Sequence, residues 1–229
     1  MGFLKNFFTN VYSNEAPPRH ATGFSQVSEA ELEAHLGVAR YGDFELSDAV
    51  RPSYNLEVVP SAGFRHDVYQ DEENRANVPV LMASVTRGRL MESFMVLIEQ
   101  LGDVVDVVLE TSHGSQSHGH TDLYREHIDM PILQSTLWDF EELLLNDGCT
   151  GIAVLNPRIP QEVQLDEHKL LIVYGKELKA YERVLHEGCI PCREDMRFIT
   201  EAEHVHSTCE RYVEEFEQLK MRLGMDDYR

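Results

Sequence analysis

Four of the eleven histidines stand in one polar stretch, Thr111 to Asp129 (TSHGSQSHGHTDLYREHID). Neutral imidazoles and carboxylates are good ligands for zinc and similar divalent ions, and a Gly/Ser-rich backbone lets His113, His118, His120 and Asp122 converge on one ion. An ion held there would activate a water. His113, nearest the preceding apolar run, is also placed to carry a proton, because an unperturbed imidazole titrates at about 6.5. The competing reading is a Ser/Gly-rich surface excursion whose histidines are simply polar residues.

Two further groups have chemistry in their spacing. Thr86-Arg87-Gly88-Arg89 falls between a predicted strand and a predicted helix, where free backbone N–H groups and two guanidinium groups suit a small anionic ligand such as a carboxylate or phosphate. Asn156 and Arg158, after a later strand, would join them; the alternative is surface arginines paired with the chain's many carboxylates. Cys189-Ile190-Pro191-Cys192, with His206 and Cys209 downstream, has the ligand types of a structural zinc site. A redox dithiol or inert thiols are the other readings of those cysteines. The order His118-Gly119-His120-Thr121-Asp122 resembles part of the metal motif of metallo-β-lactamase-like hydrolases, but that motif continues with a histidine where this chain has Leu123, and no function is carried over from it.

Elements must position these residues. Val80–Val85 reads as a buried strand, Leu90–Leu101 as a well-buried helix stopped at Gly102, and Val104–Glu110 as the next strand, which together predict a right-handed parallel crossover. The histidine stretch would then be a long loop leaving the carboxyl end of a strand, the edge where open α/β sheets bind ligands. Asp129 and Pro131 open a helix that ends before Gly148. Gly151–Leu155 is a short strand, and Val163–Leu165 with Leu170–Tyr174 forms a hairpin about Asp166 and Glu167, without the glycine such a turn favours. Tyr54–Val59 predicts a strand and residues 61–77 a polar loop. Phe198, Ala202, Val205, Cys209, Tyr212, Phe216, Leu219 and Leu223 recur in steps of four and three, predicting a long C-terminal amphipathic helix capped by Thr200 and Glu203.

The expected fold is therefore a single α/β or α+β domain over residues 28–229, its core starting near residue 50. A mixed, partly parallel sheet of five or six strands would be covered by helices. Residues 1–27 supply an amphipathic segment (Phe3, Leu4, Phe7, Phe8, Val11 and Tyr12 on one side) and a linker broken by Pro17 and Pro18. Ser28 and Glu31 form a capping box for a short helix.

Composition narrows the function classes. The 229 residues carry 40 acidic against 20 basic side chains, a formal charge of −20, so nucleic acid and anionic membrane surfaces are repelled. No apolar run approaches the roughly 18 residues of a membrane span, and four unevenly spaced cysteines are no disulfide framework; a cytoplasmic setting is expected. Two functions remain. One is a non-enzymatic binding or assembly protein that meets a protein partner, or itself, through the N-terminal segment and the seam of the last helix. The other is a metal-assisted hydrolase, with a divalent ion such as zinc on the histidine loop and an anion held by Arg87 and Arg89.

Overall fold

In a computed structural model of the chain, residue 24 and residues 27–71, 76–113 and 121–225 are described. The N-terminal amphipathic segment and almost all of its linker, together with His118 and His120, lie outside them. The chain begins with helix α1 (Glu29–Leu36) and the short strands β1 (Arg40–Tyr41), β2 (Phe44–Glu45) and β3 (Val50–Pro52). The hairpin β4 (Gly63–Asp71) and β5 (Ala76–Ser84) follows, then helix α2 (Arg87–Glu99), strands β6 (Val104–Thr111) and β7 (Thr121–Asp129), and helices α3 (Met130–Asp139) and α4 (Glu141–Asn146). Strands β8 (Thr150–Leu155), β9 (Glu162–Leu165) and β10 (Leu170–Tyr174) precede helix α5 (Lys179–Glu187), strand β11 (His204–His206) and helix α6 (Glu210–Arg222).

The main sheet has seven strands in the order β4-β5-β10-β9-β8-β6-β7, and every neighbouring pair is antiparallel. The expectation of a partly parallel sheet is therefore wrong, and the reason is specific. Strands β5 and β6 do run in the same direction on either side of α2, but they are not neighbours: β10, β9 and β8 fill the space between them. The inserted strands turn what looked like a parallel crossover into a wholly antiparallel ladder.

Period-two burial explains the layers. In β10 (LLIVY), Leu171 and Val173 face the helices while Leu170, Ile172 and Tyr174 face the opposite side, and all five are buried. The helix-side core joins Leu81, Leu109, Val163 and Leu171 to Leu90, Phe94, Leu97 and Ile98 of α2 and Leu133 and Leu137 of α3. Each large side chain buried this way contributes roughly 1.5–3 kcal/mol. Helix α6 adds Phe216 and Leu219, followed by Leu223, to the same core. On the other face, Val80, Leu170, Ile172 and Tyr174 pack with Met196 and Phe198 from the strap of residues 189–203 that follows α5.

Other local expectations shift with this topology. Residues 61–77 are mostly the long edge strand β4 and the start of β5, and the C-terminal half of the histidine stretch is edge strand β7; their charged residues alternate on exposed edges and mimic a loop's polarity. Tyr54–Val59 is not a strand; its place is taken by β3, which pairs with β11. The long last helix is also divided: Ile199–Glu201 is a 3₁₀ turn, His204–His206 a strand, and the helix begins only at Glu210. The capping box of Ser28 and Glu31 forms as expected. No helix among the described residues is long and apolar enough to cross a membrane.

Candidate metal centre

The turn between β9 and β10 lies at the sheet edge that also carries the carboxyl ends of β5 and β6. Asp166 builds it. The Lys169 N–H donates to the Asp166 carbonyl (3.0 Å) and the Leu170 N–H to Asp166 Oδ1 (2.7 Å), a side-chain bond that replaces one the backbone lacks here. Lys169 occupies the left-handed region (φ 63°) where glycine is usual, and its buried ammonium donates to the Thr150 carbonyl at 2.7 Å. The same carboxylate orients His168, whose Nδ1–H donates to Asp166 Oδ2 at 2.8 Å.

Two more imidazoles come from β11. In an extended strand, residues two apart share a face, so His204 and His206 project together while Val205 points away. Pairing with β3 fixes the strand (His204 opposite Pro52, His206 opposite Val50). His204 Nδ1 donates to the Ala202 carbonyl at 2.8 Å and His206 Nδ1 to the Gly148 carbonyl at 2.6 Å. Gly148 is required by this close approach: a Cβ there would collide with the Ala49 carbonyl and meet the Ser207 backbone at 2.9 Å.

All three Nδ1 atoms thus face acceptors that have no proton to give, so each Nδ1 carries the hydrogen, and in the neutral ring Nε2 keeps its lone pair. This outer layer of one carboxylate and two carbonyls is what fixes ligating histidines in metal sites. The ring centroids lie 4.9, 4.7 and 5.1 Å apart, and one ligand atom from each residue lies within 4.8 Å of the others. Tetrahedral zinc, with Zn–N of about 2.0–2.1 Å, wants its donors roughly 3.3 Å apart.

Electrostatics agree with the geometry. Burial pushes His204 down to about 4, and burial together with the nearby His168 lowers His206, so both are neutral at pH 7. Burial also pulls on His168, but the charge and hydrogen bond of Asp166 outweigh it and raise the imidazole. Asp166 is correspondingly held below the usual carboxylate range by His168 and the Leu170 N–H, despite its burial. The cluster therefore offers the lone pairs of His204 and His206 beside His168, whose charged form Asp166 favours.

A groove of about 440 Å³ opens onto this cluster from the face of the sheet away from the main helices. Val80, Met82, Leu170, Ile172 and Tyr174 form its floor, Asp67, Val68 and Tyr69 one side, and His168, His204, Asp166 and Thr200 the end. Beneath the floor, the Tyr174 hydroxyl meets Gln164 Oε1 (3.5 Å) and Gln164 Nε2 donates to Glu110 (3.0 Å). Glu162 beside them is fully buried, and neither of its oxygens has a hydrogen-bond partner among the described residues.

The residues singled out by spacing are distributed differently. His113 turns to Asp147 (Nε2 to Oδ2 2.9 Å), which also accepts from the Thr150 hydroxyl at 2.5 Å; with Cys149 these form a separate, mostly buried set next to Gly148. Asp122 lies on β7 opposite Glu110. Arg87 is occupied by Asn146 (3.3 Å) and Glu142 (3.6 Å), and the space it lines beside His168, about 30 Å³, has room for about two waters. Thr86 Oγ1 accepts the Glu45 N–H, and Arg89 lies near Gly188 at the end of α5. Asn156 accepts from the backbone of Arg158 and Ile159 at the opposite end of β8, so neither it nor Arg158 joins Thr86–Arg89. Cys189, Cys192 and Cys209 are exposed free thiols; Cys192 sits with His66 and Glu194, and His206 with His168. The centre itself was signalled by His-x-His in a three-residue strand and by Asp-x-His at a hairpin tip. No family model, curated protein or solved structure matches this chain, so the site is read from its own geometry.

Proposed function

We propose that the protein is a divalent-metal-dependent enzyme of the water-activating type, with His168, His204 and His206 as ligands and the adjoining groove as the substrate cleft. The observation that carries this reading is the set of three imidazoles whose Nδ1 atoms all face acceptors, with one ligand atom of each within 4.8 Å of the others and His168 and His204 at a groove end. Zinc held by three histidines keeps a fourth position for water, whose pKa falls to about 7, and polarises a carbonyl brought beside it. Asp166 keeps His168 in the ligating tautomer, and the Ala202 and Gly148 carbonyls do the same for its partners. The apolar floor takes the aliphatic or aromatic part of a substrate. Asp67 and Asp166 in the walls disfavour anions, so a neutral or cationic ester or amide fits this groove better than the anionic ligand expected from Arg87 and Arg89.

Calorimetric titration of the untagged chain with Zn²⁺ tests the reading. His204→Ala and His168→Ala each remove one binding event of the wild-type protein, and turnover of neutral aryl esters graded in acyl length is lost in the same variants. Wild-type stoichiometry in both variants would refute it. A second reading, assembly through the N-terminal segment and the last helix, is supported by Val213 and Met221, which stay exposed on α6 while Phe216 and Leu219 are buried. Light scattering of a chain lacking residues 1–16 tests that reading, and an unchanged mass would remove the segment from any assembly role.

A further inference from the structure

A second group of ligand types lies where the strap after α5 meets edge strand β4. The Phe64 N–H donates to the Pro191 carbonyl (2.9 Å) and the Arg193 N–H to the Phe64 carbonyl (2.8 Å), clamping the backbone on both sides of Cys192. Cys192 and, from the turn after it, Glu194 both reach His66 of β4. One oxygen, Glu194 Oε1, receives both His66 Nδ1–H at 2.6 Å and the Cys192 thiol at 3.2 Å. The other ring nitrogen, Nε2, donates to Glu182 Oε1 of α5 at 3.2 Å. A histidine with one nitrogen facing a thiol and a carboxylate, and the other bound to a second carboxylate, has the arrangement of a ligating histidine with its outer partner.

We propose that His66 Nδ1, Cys192 Sγ and a Glu194 oxygen form a second metal site for a borderline divalent ion of the zinc type, which ties the strap to β4. Its three donor atoms lie within 4.8 Å of one another. The ion takes the place of the two protons now shared with Glu194, so binding releases one proton from the thiol and one from the imidazole, and solvent completes the coordination on the exposed side. The strap is worth fixing because it carries Met196 and Phe198 over the outer face of the sheet and leads into β11. It is already held by Arg65, which donates to the Met196 carbonyl (2.6 Å) and to Glu201 (2.8 Å), and it packs closely over Gly63. This site shares no residue with the three-histidine cluster.

Cobalt(II) titration of the full-length, reduced chain distinguishes the two sites, because only a sulfur ligand gives a near-ultraviolet thiolate-to-cobalt charge-transfer band. The band is expected in the wild type, in His204→Ala, in Cys149→Ser and in Cys189→Ser. It should vanish in Cys192→Ser, an exposed substitution that leaves the core untouched, and weaken at least tenfold in apparent affinity in His66→Ala. Absence of the band in the wild type, its survival in Cys192→Ser, its loss in Cys149→Ser or Cys189→Ser, or an unchanged affinity in His66→Ala would each overturn the proposal. Because His204→Ala empties the other site alone, failure of one reading is separable from failure of the other.

Discussion

Replacing Asp166 by asparagine changes one atom in a carboxylate that has two tasks. Oδ1 accepts the Leu170 N–H at 2.7 Å and Oδ2 accepts His168 Nδ1–H at 2.8 Å. Asparagine has one oxygen to offer. If that oxygen stays with Leu170, its NH₂ faces His168 Nδ1, which must then become an acceptor; the ring proton moves to Nε2 and blocks the metal position. Loss of such an outer partner typically weakens metal binding 10- to 100-fold, about 1.4–2.8 kcal/mol. If the oxygen turns to His168 instead, the turn loses its side-chain bond. Either way a hydrogen bond to a charged group is lost, roughly 1.5–3 kcal/mol of folding stability. Because the folded-state pKa of Asp166 is depressed, this contribution is present above the unfolded value of about 3.9 and disappears as pH falls through the folded one. Zinc affinity by competition with a coloured chelator, and urea midpoints at pH 7 and at successively lower pH below about 3.9, measure both quantities. Zinc affinity within threefold of wild type, alongside a lowered urea midpoint, would show that Asp166 only shapes the turn and would refute the tautomer argument.

Further expectations follow from the same neighbourhood. Metal-free stability should fall as pH is lowered from about 6.5 to 4, because the unfolded chain takes up a proton that His204, held at about 4, does not; His204→Asn should flatten urea midpoints over that window. Glu162 behaves oppositely: burial and nearby Glu110 raise its pKa far above the normal range, so stability is lost as pH rises beyond the unfolded value of about 4.3. Glu162→Gln should therefore leave stability at pH 4 nearly unchanged and raise it at pH 8, and a variant no more stable at pH 8 would contradict this. Gly148→Ala drives a methyl into the Ala49 carbonyl and the Ser207 backbone, so a loss of about 1–3 kcal/mol in urea unfolding and weaker zinc binding are expected together, since His206 donates to the Gly148 carbonyl.

Local pattern carried the hairpin of β9 and β10, helix α2 and the short capped helix, because each depends on neighbours in sequence. Pairing between distant strands was not legible. The β5-α2-β6 order is common to parallel crossovers and to this sheet, and only the insertion of β8 to β10 decides between them. The stepped apolar residues from Phe198 to Leu223 satisfied a helical period, yet Val205 belongs to an alternating strand and Cys209 precedes the helix as its cap. That misreading hid the three-histidine cluster, since on a helix His204 and His206 point apart and on a strand they point together. The histidine count drew attention to residues 113–122, but a site needs convergence, and His168 meets its partners only across the fold.

The insertion of β8 to β10 between β5 and β6 also sets an order of events during synthesis. When residues 63–129 have emerged, the hairpin β4–β5 and the pair β6–β7 each present an inner edge with unpaired backbone groups; that of β6 waits for β8, ending at Leu155, and that of β5 for β10, ending at Tyr174. The three imidazoles assemble later still, when β11 pairs with β3 more than 150 residues after β3 was made. Bringing His204 and His206 beside His168 thus waits for residue 206, and only α6 is still to be added to the core after it.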